Sequence, residues 1–196
     1  MSSRRVQVVV LCEGVRDYRF AYRCLVQRGW RPDQIRANYS KGGSGFDHVL
    51  DDYPVEVRAN RKGEGHRDLL VIIDGDEEKE EGRKRQLEQH LREAREPSRK
   101  PGERIAIWVP MRQLETWIYF LKHGSADEVA EYKEDSKVKD RDLLPVARKF
   151  ARILAKEQAL PRGALSSMRS AVKEFERIQG RIAPGGARLA RRKDKR

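Results

Sequence analysis

Apolar residues are gathered into short blocks along this chain, at residues 6–11, 35–39, 69–73 and 105–109. The first, third and fourth are rich in Val and Ile and apolar almost throughout, as expected of strands covered on both faces; the second is the weakest. Helical spacing fills the gaps. Residues 17–28 place Phe20, Ala21, Cys24 and Leu25 on one stripe, with Gly29 as a stop. Residues 46–58 read as a second helix that Pro54 interrupts. Residues 77–95 are so charged, with Leu87 and Leu91 as the large apolar positions, that a solvated helix or a mobile segment is expected.

After Pro110 the strand pattern ends. Leu114, Trp117, Ile118 and Leu121 form one stripe of a helix over 113–122. Two more helices are predicted, at 142–158 (Leu144, Ala147, Phe150, Ala151, Leu154) and 165–178 (Leu165, Met168, Val172, Phe175, Ile178). A polar linker over 132–140 precedes them. Alternating strand and helix implies an α/β unit with a mainly parallel four-stranded sheet flanked by helices and a helical C-terminal extension. The expected division is 1–124 for the α/β domain, 125–180 for the extension and 181–196 for a disordered tail. Seven of the last sixteen residues are Lys or Arg.

Charge narrows the partners. Of 196 residues 38% are charged, with a formal net charge of +12. Such an excess favours a polyanion through phosphate neutralisation and counterion release, so nucleic acid is the expected partner. The chain has no long apolar run and no basic amphipathic helix with bulky apolar anchors, so a membrane is not expected. The apolar run at 6–11 is too short for a signal peptide and reads as a strand. Cys12 and Cys24 form no CxxC pair, and His48, His66, His90 and His123 show no ligand spacing. Reduced thiols and a cytoplasmic location are expected, without a zinc site.

Two strand ends carry acid: Leu11-Cys12-Glu13-Gly14 after the first block and Ile73-Asp74-Gly75-Asp76 after the third. Ligands of parallel α/β sheets gather at the carboxyl ends of strands, and neighbouring strands lie about 4.8 Å apart. Glu13 could therefore reach the same ion as Asp74 and Asp76. Carboxylates crowded together repel unless a hard cation neutralises them, and Mg2+ (or Mn2+) suits oxygen ligands and phosphate. Either motif alone is a common turn; both together, about sixty residues apart with a helix directly after Gly14, point to a site.

This arrangement resembles the Toprim fold, shared by topoisomerases, DnaG-type primases, recombination proteins and the overcoming-lysogenization-defect nucleases. The matching residues are Glu13-Gly14 and Asp74-Gly75-Asp76, and the likeness covers about residues 6–120. Asp17, in Glu13-Gly14-Val15-Arg16-Asp17, resembles the nuclease version of the motif, where this acid helps to hold a second metal. Leu114-Glu115-Thr116-Trp117 after Val109-Pro110 resembles a segment of small stand-alone, RloB-like Toprim proteins, often found in phage-defence and mobile-element settings.

The resemblance implies a Mg-dependent nuclease, with Glu13, Asp74 and Asp76 as catalytic residues. Asp74 and Asp76 would anchor the metal, Glu13 would ligate it or act as general base, and Asp17 with Glu115 would complete a second site. Glu115 reads equally well as a carboxylate favoured by the start of a helix. Arg112, Lys133 and Lys137 are candidates for an assisting basic residue, and Arg112 also for nucleic-acid contact. Lys41, in Lys41-Gly42-Gly43-Ser44-Gly45, could contact a nucleic-acid backbone, against the reading of the turn as a flexible connection. Trp117 reads as core, and the charge runs 77–81 and 83–85 as a solvated face. The competing reading is a non-catalytic Toprim module that binds nucleic acid or a partner in a larger complex, with an ATPase as a possible companion.

Overall fold

The computed structural model describes residues 7–63, 67–130, 132 and 140–178. The expected tail at 181–196, most of the expected linker, and Lys133 and Lys137 lie outside the described residues. The strands β1 (Val8–Cys12), β2 (Ile35–Tyr39), β3 (Asp68–Ile72) and β4 (Ile105–Trp108) form one four-stranded sheet in the order β2-β1-β3-β4. Every pairing is parallel. This is the expected α/β class, and it is consistent with a Toprim-like fold.

Alternation along each strand divides the interior in two. Val8, Val10 and Cys12 face one layer with Leu70, Ile72, Ala106 and Trp108. Val9 and Leu11 face the other with Leu69, Val71, Ile107 and Val109. All five residues of β1 are fully buried, which explains why the block is apolar at every position instead of at alternate ones. Helices α1 (Val15–Gln27), α4 (Leu114–His123), α5 (Asp140–Leu154) and α6 (Ser166–Phe175) cover the first face. Helices α2 (Gly45–Lys62) and α3 (Lys79–Glu93) cover the second.

Several expectations shift on contact with this packing. Helix α2 runs through Pro54, which is buried within it. A proline inside a helix forfeits a backbone hydrogen bond at a cost of about 3 kcal/mol. Val49, Leu50, Tyr53 and Val57 dock on the sheet around it, each worth about 1.5–3 kcal/mol when fully buried, so tertiary burial outweighs the break. Helix α3 forms as a helix, as one of the two readings expected, but it is not solvated all round, because Leu87 and Leu91 are fully buried against the second face and Arg83 is buried too. In α5 the inward residue is Leu143, with Leu144 only half-buried.

The C-terminal helices share the first core instead of building their own. Trp108 on β4 lies 5.4 Å from Phe150 on α5 and 5.9 Å from Phe175 on α6, ring centroid to centroid. Trp117 is fully buried, and its Nε1 donates to Ser167 Oγ at 2.9 Å, as suits a core residue. Glu174 of α6, 9% exposed, accepts from Arg99 and from the backbone N–H of Ile107 at 3.2 Å. Among the described residues no helix is long and apolar enough to cross a membrane.

Candidate metal centre

In register, Cys12 stands beside both Tyr39 and Ile72, so the carboxyl ends of the central strands are level. From β1 the chain crosses to β2 on one side, then returns over β1 to β3 and continues to β4 on the other. The reversal between β1 and β3 is a topological switch point, where the following helices diverge to opposite faces and leave a crevice. Glu13 leaves β1 at this crevice, and Asp74 and Asp76 follow β3.

The structure brings the predicted acids together. Asp74 N–H donates to Glu13 Oε1 at 2.8 Å, tying the two strand ends directly. Asp17, in the first turn of α1, accepts the Gly14 N–H at 3.0 Å and so also caps its own helix. Glu115, in the first turn of α4, forms an ion pair with Arg16. Asp76 is the outlying member: its side chain is 59% exposed and pairs with Arg83 at 2.9 Å.

Crowding and burial alter the proton affinities in one direction. Burial pushes the Asp17 carboxyl up to about 7, helped by the negative charges of Glu13 and Glu115 and opposed by the Gly14 N–H. Asp74 is raised well above the ordinary carboxylate range, first by burial and then by Asp17, Glu13, Glu115 and Asp76. Glu13 is raised by burial, less strongly because the Asp74 N–H stabilises its charge. Among the described residues, Asp74 Oδ1 is buried with no hydrogen-bond partner. Gln113 Nε2 and Thr116 Oγ1, from the start of α4, are likewise buried and unpartnered.

Backbone geometry at the centre is unusual. Asp76 (φ 43°) and Arg112 (φ 60°) are both left-handed non-glycine residues, joined by the Asp76 N–H to the Arg112 carbonyl at 3.2 Å. Such conformations cost about 1–2 kcal/mol per residue and cluster at functional sites. Gly75 has a steric reason: a Cβ there would lie 2.9 Å from the Pro110 carbonyl oxygen. Arg112 lines a shallow open pocket with Asp76, Glu77, Arg83 and Gln86.

The glycine-rich turn also gains a definite role. A Cβ on Gly45 would fall 2.5 Å from the Glu13 carbonyl oxygen, so the start of α2 abuts the backbone of Glu13. Ser44 caps α2 by accepting the Asp47 N–H at 3.2 Å. Lys41 is exposed in the turn just before it. The turn is therefore a close approach between helix and strand end, not merely a flexible connection.

Arg83 is the residue that the sequence pattern misplaced. Set in a run of charge, it read as part of a solvated face; its side chain is only 8% exposed. Its Nε donates to the Asp74 carbonyl at 2.7 Å, Nη1 to Gln86 Oε1 at 2.9 Å and Nη2 to Asp76 Oδ2. The guanidinium lies 4.2 Å from the centroid of the Phe46 ring. Spacing offers no signal for this, because Phe46 and Arg83 meet only through the docking of α2 beside α3.

Among the described residues no three His, Cys, Asp or Glu side chains converge as they stand into a group that could hold an ion. The reason is visible: Glu13 is turned to the Asp74 N–H, Asp17 to the Gly14 N–H and Asp76 to Arg83. The donor set itself suits a hard divalent cation, being all oxygen, crowded, and centred on a buried carboxylate oxygen without a partner. Compared with protein-family models, curated proteins and solved structures, the chain matches none.

Proposed function

We propose that this chain is a Toprim-type nuclease that cleaves phosphodiester bonds of nucleic acid with Mg2+ or Mn2+. The observation that carries the reading is Asp74: a buried carboxyl with one oxygen unpartnered among the described residues and four neighbouring acids that raise its proton affinity. An acid kept in such surroundings costs stability, and a divalent cation would relieve that cost. Glu13, Asp74 and Asp76 would hold the ion, with Asp17 and Glu115 available for a second. A bound ion would supply Lewis-acid polarisation of a phosphodiester oxygen. Glu13 could instead take the proton of an attacking water, since its raised proton affinity suits a base. Arg112 beside the pocket at Asp76 and Lys41 before α2 would contact the nucleic-acid backbone.

The resemblance to stand-alone Toprim proteins extends this reading to phage defence or a mobile element, with an ATPase as a possible partner. Free, buried Cys12 and Cys24 support a cytoplasmic, reducing setting. One observation favours the non-catalytic alternative: the acids are already engaged by Arg83 and backbone N–H groups, an arrangement that could persist in a module that only binds. A cleavage assay decides between them. Purified protein should nick or degrade DNA or RNA with Mg2+ or Mn2+, and Asp74→Ala should abolish this with the fold intact. Cleavage that survives both Glu13→Ala and Asp76→Ala sinks the nuclease reading; binding without cleavage across a broad substrate panel supports the module.

A further inference from the structure

Resting on that metal-site reading, we infer that Arg83 is a positioning residue that holds Asp76 in place as a metal ligand. Asp76 is the most exposed of the acids and has a left-handed backbone, so on its own it would be the least ordered. Arg83 corrects this from a fixed position. Its three nitrogens reach three different acceptors: the Asp74 carbonyl, Gln86 Oε1 and Asp76 Oδ2. The face of Phe46 supports the planar guanidinium. Three hydrogen bonds and a ring face hold this side chain, which is only 8% exposed, in one position.

The contact leaves Asp76 able to bind an ion. A carboxylate offers about four lone-pair sites, and the guanidinium takes one, on Oδ2. A hydrogen bond to the second oxygen of a ligating carboxylate fixes its orientation, and loss of such a partner costs about 10- to 100-fold in metal affinity. Repulsion between Arg83 and an incoming cation acts the other way. It is outweighed here because the carboxyls of Glu13, Asp17, Asp74 and Asp76, which give up their protons as the cation enters, can together supply more negative charge than one guanidinium cancels. Lysine cannot substitute: it presents a point charge and cannot span the Asp74 carbonyl and Asp76 Oδ2 as a planar fork does. Through Phe46 and Gly45, the same side chain links Asp76 to the turn of α2 that abuts Glu13.

The test is Mn2+ binding to the full chain without nucleic acid, read by titration calorimetry and by the loss of the free-ion EPR signal. Arg83→Gln and Arg83→Lys should each weaken binding about 10- to 100-fold, while Arg85→Gln, on the exposed face, should not. Unchanged affinity in both Arg83 variants overturns the inference, and tighter binding does so too, by making Arg83 a competitor of the ion. If wild-type protein binds no Mn2+ in a manner sensitive to Asp74→Asn, the metal-site reading fails first and this inference falls with it. Should Arg83→Gln not fold, Phe46→Leu removes the ring face but keeps apolar bulk. It should weaken Mn2+ binding about 2- to 5-fold, the worth of a cation–π contact, and no change would again overturn the assignment.

Discussion

Replacing Asp17 by Asn tests whether the acid cluster is held together at the expense of stability. Asp17 titrates at about 7 in the folded chain against an ordinary 3.8, chiefly through burial. An acid whose affinity for protons is raised by folding is bound to more protons in the folded state between those two values. Stability therefore falls as pH rises through that window and stays low above it. The full difference amounts to at most about 4 kcal/mol, and about 3 kcal/mol of it is lost between pH 5 and pH 8. Asparagine is isosteric, carries no charge to bury and still offers an oxygen to the Gly14 N–H. It forfeits the attraction of a carboxylate for a helix start, worth about 0.3–1 kcal/mol. The gain exceeds the loss, so Asp17→Asn should be more stable than wild type at pH 8 by about 1–3 kcal/mol. The two should converge towards pH 5. Urea unfolding in EDTA at pH 5 and pH 8, followed by circular dichroism, measures both. A variant less stable than wild type at pH 8, or one with the same pH dependence, refutes the reasoning.

Two further outcomes follow from the start of α2. Gly45→Ala gains helix propensity of about 1 kcal/mol, but its Cβ would sit 2.5 Å from a backbone oxygen that cannot rotate away. A net loss of about 1–2 kcal/mol is expected in chemical denaturation, where overpacking costs about 1–3 kcal/mol; equal or greater stability would mean that Glu13 yields easily. For Lys41→Ala, the slope of log affinity against log salt for nucleic-acid binding should become shallower by about 0.7–0.9, one phosphate contact. An unchanged slope removes Lys41 from the interface.

Much of the architecture was legible because strands covered on both faces are apolar at nearly every position over a short span. The apolar block at 35–39 coincides with β2, although it is the least apolar, and the block at 6–11 differs from β1 by one or two positions at its ends. Helix α3 forms as expected but docks more firmly than its charge suggests, for a physical reason. Composition measures average polarity, but two fully buried leucines and one buried arginine suffice to dock a helix that is otherwise charged. Pro54 was misjudged, since local propensity cannot weigh what four buried neighbours contribute. The 1–124 and 125–180 division follows the loss of strand pattern, whereas packing joins α5 and α6 to the same core as β4 through Trp108, Phe150 and Phe175.

At the candidate site, the order of residues is enough to show which acids lie at strand ends, because strand limits and motif positions are both local properties. Glu13, Asp74 and Asp76 could be named from that alone, with Asp17 and Glu115 added by resemblance. Folding in three dimensions makes β1 and β3 neighbours, buries Asp74 with an oxygen unpartnered among the described residues, and presses Gly45 on Glu13. It also sets Arg83, a residue with no motif around it, against Asp76. Burial, electrostatic crowding and close approach depend on which distant segments share a space, and no spacing along one strand or helix encodes that.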